Sequence, residues 1–527
     1  MIKGKNIILA ILFSIYFIIG IYLSLSTGIS HDQFHEQLNW TINYKAIQGI
    51  FLNNGNYNVL LDYLDKYHGI AFHYISQPIQ FLIHEHVAKF NEINIEGSYL
   101  ISRHAAVFLI FCVSGYFFYL LSFKISSNQN FSIICVGIFY LYPYFFGHAQ
   151  INGKDIPFMS FWIISTYFLF SLIENLYNNQ KIDPKLILSI SFSTAFLISI
   201  RVTGILILLE YLIAIIILIN IKNINFFSFL NKNKISLLSF FSLLLIFIYI
   251  LNPIFWLNPL EFVNSLKWMG KYYHDICTIT LGTCMKALNL PSSYIFIWLF
   301  FKLPIIVLLG LASFPLVENK IFNNGLKTIY YGIFTLTIFS LIFVFILKNV
   351  SLYDEIRHII FLIPFILLIG LYNLFLLNKK LFFSISFIVL CFFIIENISL
   401  NKYQYTWLNS FAKFTNIQKN FEIDYWGISG KKLSKKIINH SKSINFNKKN
   451  CVYGGQYSNT FLENFDYQCF QSYSKLDSAK QRPYYVIQNV RDIKRSKPKD
   501  CKLIHEEIYS YTFSKTKIKT GYLWYCD

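Results

Sequence analysis

Long apolar stretches separated by short polar breaks dominate the first 400 residues of the chain. An α-helix needs about 17 to 25 apolar residues to cross a bilayer. The first stretch is too long for a signal peptide and lacks a small-residue cleavage site, so it is expected to stay as a membrane helix. The pattern predicts about eleven transmembrane helices, at 6–28, 99–122, 131–147, 156–176, 186–202, 204–221, 235–254, 294–316, 328–347, 358–377 and 381–399.

Lysine placement sets the expected orientation of these helices. Two short helices with a turn at 201–204, rather than one tilted helix over 186–221, leave the lysines in alternate breaks. Lysine-rich breaks stay in the cytoplasm, so the N-terminus is predicted to be cytoplasmic. The breaks 29–98, 148–155, 255–293 and 348–357 and the tail from 400 are then outside. The lysines used are Lys3, Lys5, Lys124, Lys181, Lys185, Lys222, Lys232, Lys234, Lys320, Lys327, Lys379 and Lys380.

Residues 401–527 have a different character from the helical part at 1–400. They are polar, and short alternating runs at 484–490 and 509–514 predict strands. We therefore expect a small α+β domain outside the membrane. Outer cysteines can form disulfides in an oxidising compartment, and the pairing of four of them is not deducible from spacing. The outer cysteines are Cys277 and Cys284 in one break and Cys451, Cys469, Cys501 and Cys526 in the tail.

Composition agrees with this reading. Of 527 residues, 55% are hydrophobic and 14% are charged, and the mean hydropathy is +0.46, values typical of an integral membrane protein. The net charge of +19 would suit a nucleic-acid partner. The lysines instead gather in breaks and in the tail, as membrane orientation requires, so the bilayer is the expected partner and nucleic acid is not.

Ionisable residues gather at the predicted outer ends of the helices. The stretch 31–36 holds His31, Asp32, His35 and Glu36, whose i,i+4 pairs would share a helix face. Such groups near hydrocarbon are costly and point to function. Acids and bases at one membrane surface suit a transport gate or an enzyme that acts on a lipid head group. Further groups lie at 103–104, 147–158, 201 and 353–358.

The order of these motifs resembles that of bacterial family 39 glycosyltransferases of the GT-C superfamily, relatives of protein O-mannosyltransferases and of the lipid A aminoarabinose transferase. The resemblance covers residues 1 to about 435. It implies a GT-C fold in the bacterial cytoplasmic membrane and inverting transfer of a sugar from a polyprenyl-phosphate donor to a glycan, lipid or protein acceptor in the periplasm. The motifs are HDQFHEQ (31–37), YHGIAFHYI (67–75), SRHAAVF (102–108), GHAQINGKDIPFM (147–159), SIRVTGILI (199–207), TLGTCMKALNLPSSY (280–294), SLYDEIRHIIFLIPF (351–365) and NFEIDYWGISGKKL (420–433).

The resemblance assigns roles to two acids. The family's first-loop acid matches Asp32, the expected general base, a role that contributes roughly 10²- to 10⁴-fold to the rate. The family usually has a second acid next to it, where this chain has Gln33, so the base is Asp32, or Glu36 if the register differs. The acid of the next outer loop matches Asp155, which would hold a metal ion or the acceptor or orient the donor sugar.

Cations are expected to stabilise the lipid phosphate as it leaves. The candidates are Lys154, Arg201, Arg357 and His358, and we favour the two arginines because guanidinium binds phosphate through two hydrogen bonds. The sequence establishes no cofactor. A divalent metal ion is a candidate, with His31 and His35 as its ligands; His84 and His86 could also bind zinc or manganese.

For each of these residues, a purely structural role is the alternative to catalysis or ligand binding. Asp32 and Glu36 could cap a surface helix, Asp155 could pair with Lys154, and Arg201 could only pin a helical hairpin. Arg357 could likewise form a surface pair with Asp354 or Glu355, and 424–427 is expected only to begin the tail domain.

Three other functions compete with the transferase. A transporter or flippase would show inverted repeats and polar residues at mid-membrane, whereas the charges here are expected at helix ends. A scaffold protein of the envelope would make Asp32 dispensable. A ligase would use a lipid-diphosphate donor.

Overall fold

We describe a computed structural model of the protein, over residues 2–52, 57–86, 95–269, 275–323, 325–444, 451–455, 470–472, 482–491, 498–512 and 517–527. The α-helices are α1 Ile2–Ser26, α2 Asp32–Leu52, α3 Tyr57–Asp62, α4 Ala71–His86, α5 Ile95–Ser126, α6 Gln129–Leu141, α7 Pro143–Ile151, α8 Asp155–Tyr177, α9 Pro184–Ile200, α10 Ile207–Lys222, α11 Phe226–Leu251, α12 Glu261–Met269, α13 Tyr294–Lys302, α14 Ile305–Ala312, α15 Phe314–Phe322, α16 Leu326–Leu347, α17 Ile363–Leu377, α18 Lys379–Ser399, α19 Ile417–Asn420 and α20 Gly430–Ser443. Short 3₁₀ helices are Val202–Leu206, Pro253–Phe255, Arg357–Leu362, Gln404–Thr406 and Ala412–Phe414. The strands are β1 Cys277–Thr280, β2 Thr283–Lys286, β3 Val452–Gly454, β4 Phe470–Ser472, β5 Tyr484–Asn489, β6 Cys501–Ser510 and β7 Lys517–Cys526.

The fold is a polytopic helical membrane protein with a small C-terminal α+β part. Large apolar side chains such as Ile18, Leu238, Phe339 and Phe387 are exposed on the outer faces of its helices, as a lipid environment requires. Over the described residues, the segments long and apolar enough to cross a membrane are Ile7–Ser26, Gly97–Ser126, Asp155–Tyr177, Val202–Lys222, Phe226–Leu251, Leu326–Leu347, Arg357–Leu377 and Lys379–Ser399.

The predicted count of about eleven helices is reached only when broken segments are included. The helices α6 and α7 form one apolar pair bent by 57°, and α13 and α14 form another bent by 116°. Proline explains both breaks, because Pro143 begins α7 and Pro304 precedes α14, and proline cannot donate the backbone hydrogen bond that would continue a helix. The remaining predicted stretch, 186–202, corresponds to α9, which has 17 residues.

The chain between 186 and 221 forms two helices, as lysine placement predicts. Arg201 has an extended backbone (φ −146°) between α9 and the following 3₁₀ helix. The Gly204 amide then donates to the Arg201 carbonyl at 2.8 Å. A Cβ at Gly204 would lie only 2.9 Å from the Leu197 carbonyl carbon, so glycine allows the chain to turn this closely and places Arg201 at a helix end.

An acid lies well inside the membrane segment Val202–Lys222, contrary to the expectation that charges occupy only helix ends. Glu210 is fully buried in α10. It accepts hydrogen bonds from Trp162 Nε1 at 2.7 Å and from Thr166 Oγ1 at 2.8 Å. Hydrogen bonds of this kind offset the cost of burying a polar group, and they come from α8, which the sequence pattern could not align with α10.

The first long break folds onto the bundle through α2 and α4. The buried side of α2 is polar, with Gln33, Glu36, Asn39 and Asn43. Apolar residues of the same helix are exposed, among them Leu38 and Leu52. A helix that turns polar residues toward the protein and apolar residues away from it suits the membrane interface, and its first turn carries Asp32.

The tail forms a five-stranded sheet in the order β4-β3-β5-β7-β6. β3 is parallel to β4 and β5, and the other neighbours are antiparallel. The predicted strand at 484–490 is β5. Of the predicted run at 509–514, residues 509–510 end β6, and 513–514 lie outside the described residues. α20 covers the sheet through Leu433 and Ile437. Before α20, residues such as Tyr405 and Trp426 pack in the same core as the helices.

Where both cysteines belong to the described part of the chain, disulfides form at two of the places that the sequence analysis puts outside the membrane. Cys277 bonds to Cys284 across the β1–β2 hairpin, and Cys501 bonds to Cys526, its partner in the β6–β7 register. The sequence predicts disulfides among the cysteines outside the membrane, but their spacing does not show which cysteines of the tail pair. The register of β6 and β7 places Cys501 opposite Cys526. Cys469 lies outside the described residues.

A buried ion pair connects α13 to the segment before α17. Lys302 Nζ lies 2.6 Å from Glu355 Oε2, and both side chains are fully buried. Burial raises the pKa of Glu355, and the Lys302 ammonium opposes that shift by favouring the ionised carboxylate. We expect Lys302→Met to lower the free energy of unfolding by about 3–5 kcal/mol, because it leaves Glu355 buried without its partner. Tryptophan fluorescence during thermal unfolding in detergent measures the loss; the double variant Lys302→Met/Glu355→Gln should recover most of it, and an unchanged melting temperature in the single variant would contradict this expectation.

Candidate functional site

A cavity of about 490 Å³ opens where the first break meets the helix ends. Its polar side is built by the start of α2, the turn 65–69, the start of α8 and the break at Arg201. Its apolar side comes from membrane helices, through Phe158, Leu206, Phe345 and Phe361. We call it the lipid-side cavity. Its ionisable lining residues are His31, Asp32, His35, Glu36, Asp65, His68, Lys154, Arg201, Arg357 and His358.

A second cavity, of about 500 Å³, lies between the helices and the tail. We call it the tail-side cavity. It is lined largely by polar groups from the β1 region, from the segment before Arg357 and from the tail. Four residues, His31, Asp32, Tyr353 and Arg357, line both cavities. The other charged residues lining it are Asp275, Asp354, Glu422 and Arg491.

Asp32 stands in the wall between these cavities, as the first residue of α2. Its Oδ2 accepts a hydrogen bond from Arg357 Nη1 at 2.8 Å, and 45% of its side chain is exposed. Burial alone would raise the pKa of Asp32, but the Arg357 guanidinium outweighs it and holds that pKa below its usual value. Asp32 is therefore an ionised carboxylate at neutral pH that a molecule in either cavity can reach.

Arg357 contacts three carboxylates at this wall. Besides Asp32, its guanidinium lies 3.1 Å from Asp354 Oδ2 and 3.7 Å from Asp155 Oδ2. Its guanidinium carbon also lies 5.2 Å from the ring centre of Tyr353 and 5.6 Å from that of Trp426. The side chain is almost fully buried, so the predicted pair with Asp354 exists but is not a surface pair.

An unusual backbone conformation sets the directions of the side chains in the segment 354–357. Asp354 (φ 56°) and Glu355 (φ 66°) are both left-handed, a conformation that costs energy for residues other than glycine. The Asp354 amide donates to Thr278 Oγ1 at 3.0 Å and helps to hold the turn. As a result Glu355 faces Lys302, whereas Arg357 faces Asp32.

Asp155 holds the second arginine. It is buried at the start of α8, and its Oδ1 lies 2.6 Å from Arg201 Nη2. Asn152 Nδ2 donates to its other oxygen at 2.8 Å. Asp155 thus pairs with Arg201 rather than with its neighbour Lys154, and the structure brings together four predicted site residues: Asp32, Asp155, Arg201 and Arg357.

Glu36, the alternative base, lies in a separate cluster of charges. Its carboxylate is 3.4 Å from Lys154 Nζ, 3.4 Å from His73 Nε2 and 3.8 Å from Arg103 Nη2. Burial alone would raise the pKa of Glu36, but Lys154 and its other partners hold it well below the usual value. Lys154 Nζ also donates to the Gly69 carbonyl at 3.1 Å. Glu36 and Lys154 line the lipid-side cavity but are largely neutralised by each other.

Gln33, which stands where the family usually has a second acid, is buried away from both cavities. Its Oε1 lies 3.0 Å from His104 Nε2, and its amide nitrogen donates to the Leu100 carbonyl. These contacts attach α2 to α5. Because Gln33 replaces the family's second acid and is buried, Asp32 is the acid of this adjacent pair of positions that is exposed to the cavities.

The predicted histidines occupy different places. His358 lines the lipid-side cavity, with its ring 4.5 Å from the Tyr353 ring centre. His31 lines both cavities, and its backbone amide donates to the Trp426 carbonyl at 3.3 Å. His35 lies beside two residues that sequence reasoning missed, Asp65 and His68. His84 instead lies 2.9 Å from Ser98 Oγ through Nδ1.

The tail supplies a cation that no motif indicated. Arg491 follows β5 and donates through Nε to Glu422 Oε1 at 2.8 Å and through Nη2 to Asp354. Because Asp354 also contacts Arg357, the tail is connected to the wall between the cavities. A separation of 137 residues between Arg491 and Asp354 hides this contact from any sequence pattern.

No protein-family model and no curated protein sequence matches the chain. Among solved structures it is similar to ArnT from Cupriavidus metallidurans in the apo state, with a TM-score of 0.49 and 9% identity over 99% of this chain and 98% of that chain. It is also similar to ArnT from the same organism bound to undecaprenyl phosphate, with a TM-score of 0.44 and 9% identity over 98% and 97% of the two chains. At such low identity and TM-scores these matches assign no function and no residue role to this chain.

Proposed function

We propose that this protein is an integral-membrane glycosyltransferase that moves a sugar from a polyprenyl-phosphate donor to an acceptor hydroxyl, with Asp32 as the general base. The observation that carries the proposal is the position of Asp32 and Arg357 in the wall shared by the two cavities. One cavity offers cations and an apolar side, and the other offers polar groups. A reaction at that wall would join a molecule from each.

The lipid-side cavity suits an isoprenoid phosphate. Phe158, Leu206 and Phe345 give it an apolar side on the membrane helices, along which a prenyl chain would lie. Arg201 and Arg357 supply guanidinium groups, which bind phosphate oxygens through two hydrogen bonds. If the donor phosphate binds between Arg201 and Arg357, its sugar would lie next to Asp32, in the wall between the two cavities.

The tail-side cavity suits the acceptor. It is lined by the carboxylates of Asp275, Asp354 and Glu422 and by the guanidinium of Arg491. The carboxylates can accept hydrogen bonds from hydroxyl groups, and the guanidinium can donate hydrogen bonds to them. An acceptor rich in hydroxyl groups, such as a glycan, matches that lining. Its attacking hydroxyl would meet Asp32 from this side.

The proposed reaction is a single displacement. Asp32 accepts the proton of the acceptor hydroxyl while that oxygen forms a bond to the anomeric carbon. The bond from this carbon to the phosphate oxygen breaks on the opposite face, so the configuration inverts. Polyprenyl phosphate leaves with the bonding electrons, and Arg357 and Arg201 stabilise its growing charge. Asp155 contributes by holding Arg201 at 2.6 Å.

The disulfides support the proposed location in a bacterial cytoplasmic membrane. Cys277–Cys284 and Cys501–Cys526 lie in segments that lysine placement puts in the periplasm, where disulfides persist. The free cysteines Cys112, Cys135 and Cys391 lie in membrane helices. We propose accordingly that the N-terminus is cytoplasmic, that 1–400 is the catalytic part and that 401–527 is a periplasmic domain.

Turnover of defined donors tests the proposed reaction. Full-length protein in lipid nanodiscs would be incubated with polyprenyl-monophosphate sugars, with their diphosphate counterparts and with mixed glycan acceptors. We expect release of polyprenyl phosphate from a monophosphate donor only. Release of diphosphate lipid would favour the ligase, and no release from any donor would favour the transporter or the scaffold protein.

Arg491 provides a separate test of the acceptor side. We expect Arg491→Gln to lower kcat/KM for the acceptor by about tenfold, because the lost contacts are worth roughly 1.5–3 kcal/mol for charged hydrogen bonds and are partly replaced by water. Binding of the polyprenyl-phosphate donor should stay unchanged, since Arg491 does not line the lipid-side cavity. The exposed Lys502 in the same sheet gives the control variant Lys502→Gln. An equal loss of donor binding in Arg491→Gln would contradict the separation of the two cavities.

A further inference from the structure

Three side chains next to the site form a cluster with the composition of a metal site. His35, Asp65 and His68 each present one ligand atom, and these atoms lie within 4.8 Å of one another. His35 belongs to α2, three residues after Asp32, whereas Asp65 and His68 belong to the turn that follows α3. The cluster therefore connects two segments of the first break.

Each imidazole lies about as far from one oxygen of the Asp65 carboxylate as two ligand atoms of a tetrahedral site lie from each other, and the two imidazoles face different oxygens of that carboxylate. His35 Nε2 lies 3.5 Å from Asp65 Oδ2, and His68 Nδ1 lies 3.6 Å from Asp65 Oδ1. Ligand atoms about 2.0–2.2 Å from a zinc ion are separated from each other by roughly 3.3–3.6 Å when the geometry is tetrahedral. Small side-chain rotations would bring the three atoms onto one ion.

The backbone and the aromatic neighbours hold these ligands in place. The His68 amide donates to the Asp65 carbonyl at 2.9 Å, which fixes the spacing of both residues in one turn. The rings of His35 and His68 meet edge to face, with centroids 5.4 Å apart. Trp268 contacts the other side of His68, with centroids 5.5 Å apart. Such support is typical of ligands whose orientation matters.

We propose that His35, Asp65 and His68 bind one divalent ion of the zinc class. Two imidazoles and one carboxylate select zinc or cobalt over magnesium and calcium, which prefer oxygen ligands. All three side chains line the lipid-side cavity, and 39% of the His35 side chain is exposed, so an ion has an entry path. Three protein ligands leave a fourth position on the cavity side, the arrangement of an open zinc site.

Metal binding to the full-length protein tests the proposal without any transferase assay. Protein purified in detergent through a tag without histidine would be stripped with a chelator and titrated with Co²⁺ and Zn²⁺. We expect one ion per chain, the visible absorption of tetrahedral Co²⁺ and its displacement by Zn²⁺ but not by excess Mg²⁺. Failure of the wild type to bind either ion in a one-to-one ratio would overturn the proposal.

Variants assign the binding to these residues. His35→Ala and Asp65→Asn should weaken Co²⁺ binding by more than about 100-fold, a larger loss than outer-shell substitutions cause. His505 in β6 lines neither cavity and provides the control, so His505→Ala should bind like the wild type. Asp65→Asn keeps the side-chain shape, and near-UV circular dichroism establishes that each variant is folded. Wild-type affinity in folded Asp65→Asn and His35→Ala would overturn the proposal.

Discussion

Asp32→Asn is expected to lower the rate of sugar transfer by about 10²- to 10⁴-fold, the contribution of a positioned general base. The carboxamide keeps the shape of the side chain but cannot accept the proton of the acceptor hydroxyl at neutral pH. Donor binding should survive, because Arg201 and Arg357 remain. Single-turnover release of polyprenyl phosphate measures the rate, and donor binding is measured separately on the same protein.

The pH dependence of the wild type adds a second readout to this prediction. The Arg357 guanidinium keeps the pKa of Asp32 below its ordinary value, so the base stays ionised down to acidic pH. Transfer should therefore be lost only when the pH falls below the usual carboxyl pKa of about 4. Asp62→Asn changes an exposed acid of the same break and should leave the rate unaltered. A rate for Asp32→Asn equal to that of this control would remove Asp32 from the reaction.

Arg357→Gln is expected to reduce transfer by about 10²- to 10³-fold, the cost of removing one group that stabilises developing charge. It should also weaken donor binding, which Asp32→Asn should not. Without the guanidinium, the pKa of Asp32 should rise, and the acid limb of the pH profile should move to higher pH. The two variants therefore differ in donor binding and in the pH profile, even where their rates are similar.

Arg357→Lys separates charge from geometry. Lysine keeps the positive charge but not the planar fork that reaches Asp32, Asp354 and a phosphate at once, so it should restore only part of the activity. Arg482→Gln, in an exposed part of the tail, is the matched control and should behave like the wild type. Full activity of Arg357→Lys would show that a point charge is enough, and full activity of Arg357→Gln would contradict the role given to this residue.

Most membrane helices could be predicted from the sequence, because apolar stretches of sufficient length have few alternatives in a bilayer. The turn at Arg201 was also predictable, since lysine placement required two helices there. The 116° bend between α13 and α14 was not predicted, although Pro304 is visible in the apolar run at 294–316 as a signal for a break. Apolar length alone does not show whether a stretch runs straight.

The candidate site was partly predictable. The family resemblance indicated Asp32 and Asp155, and the need for cations at a leaving phosphate indicated Arg201 and Arg357; the structure brings these four together. Sequence order could not show that Glu36 pairs with Lys154 at 3.4 Å, because the two lie in different loops. Arg491 and the partners of His35 were missed for the same reason: their contacts arise from tertiary packing and leave no local pattern.

The position of bound polyprenyl phosphate, the lipid that the reaction releases, tests the central claim most directly. A structure of the full-length protein with polyprenyl phosphate in nanodiscs should place the phosphate in the lipid-side cavity, with oxygens about 2.7–2.9 Å from guanidinium nitrogens of Arg357 and Arg201. The prenyl chain should pass along Phe158 and Phe345. A phosphate bound in the tail-side cavity, or away from both arginines, would contradict the account.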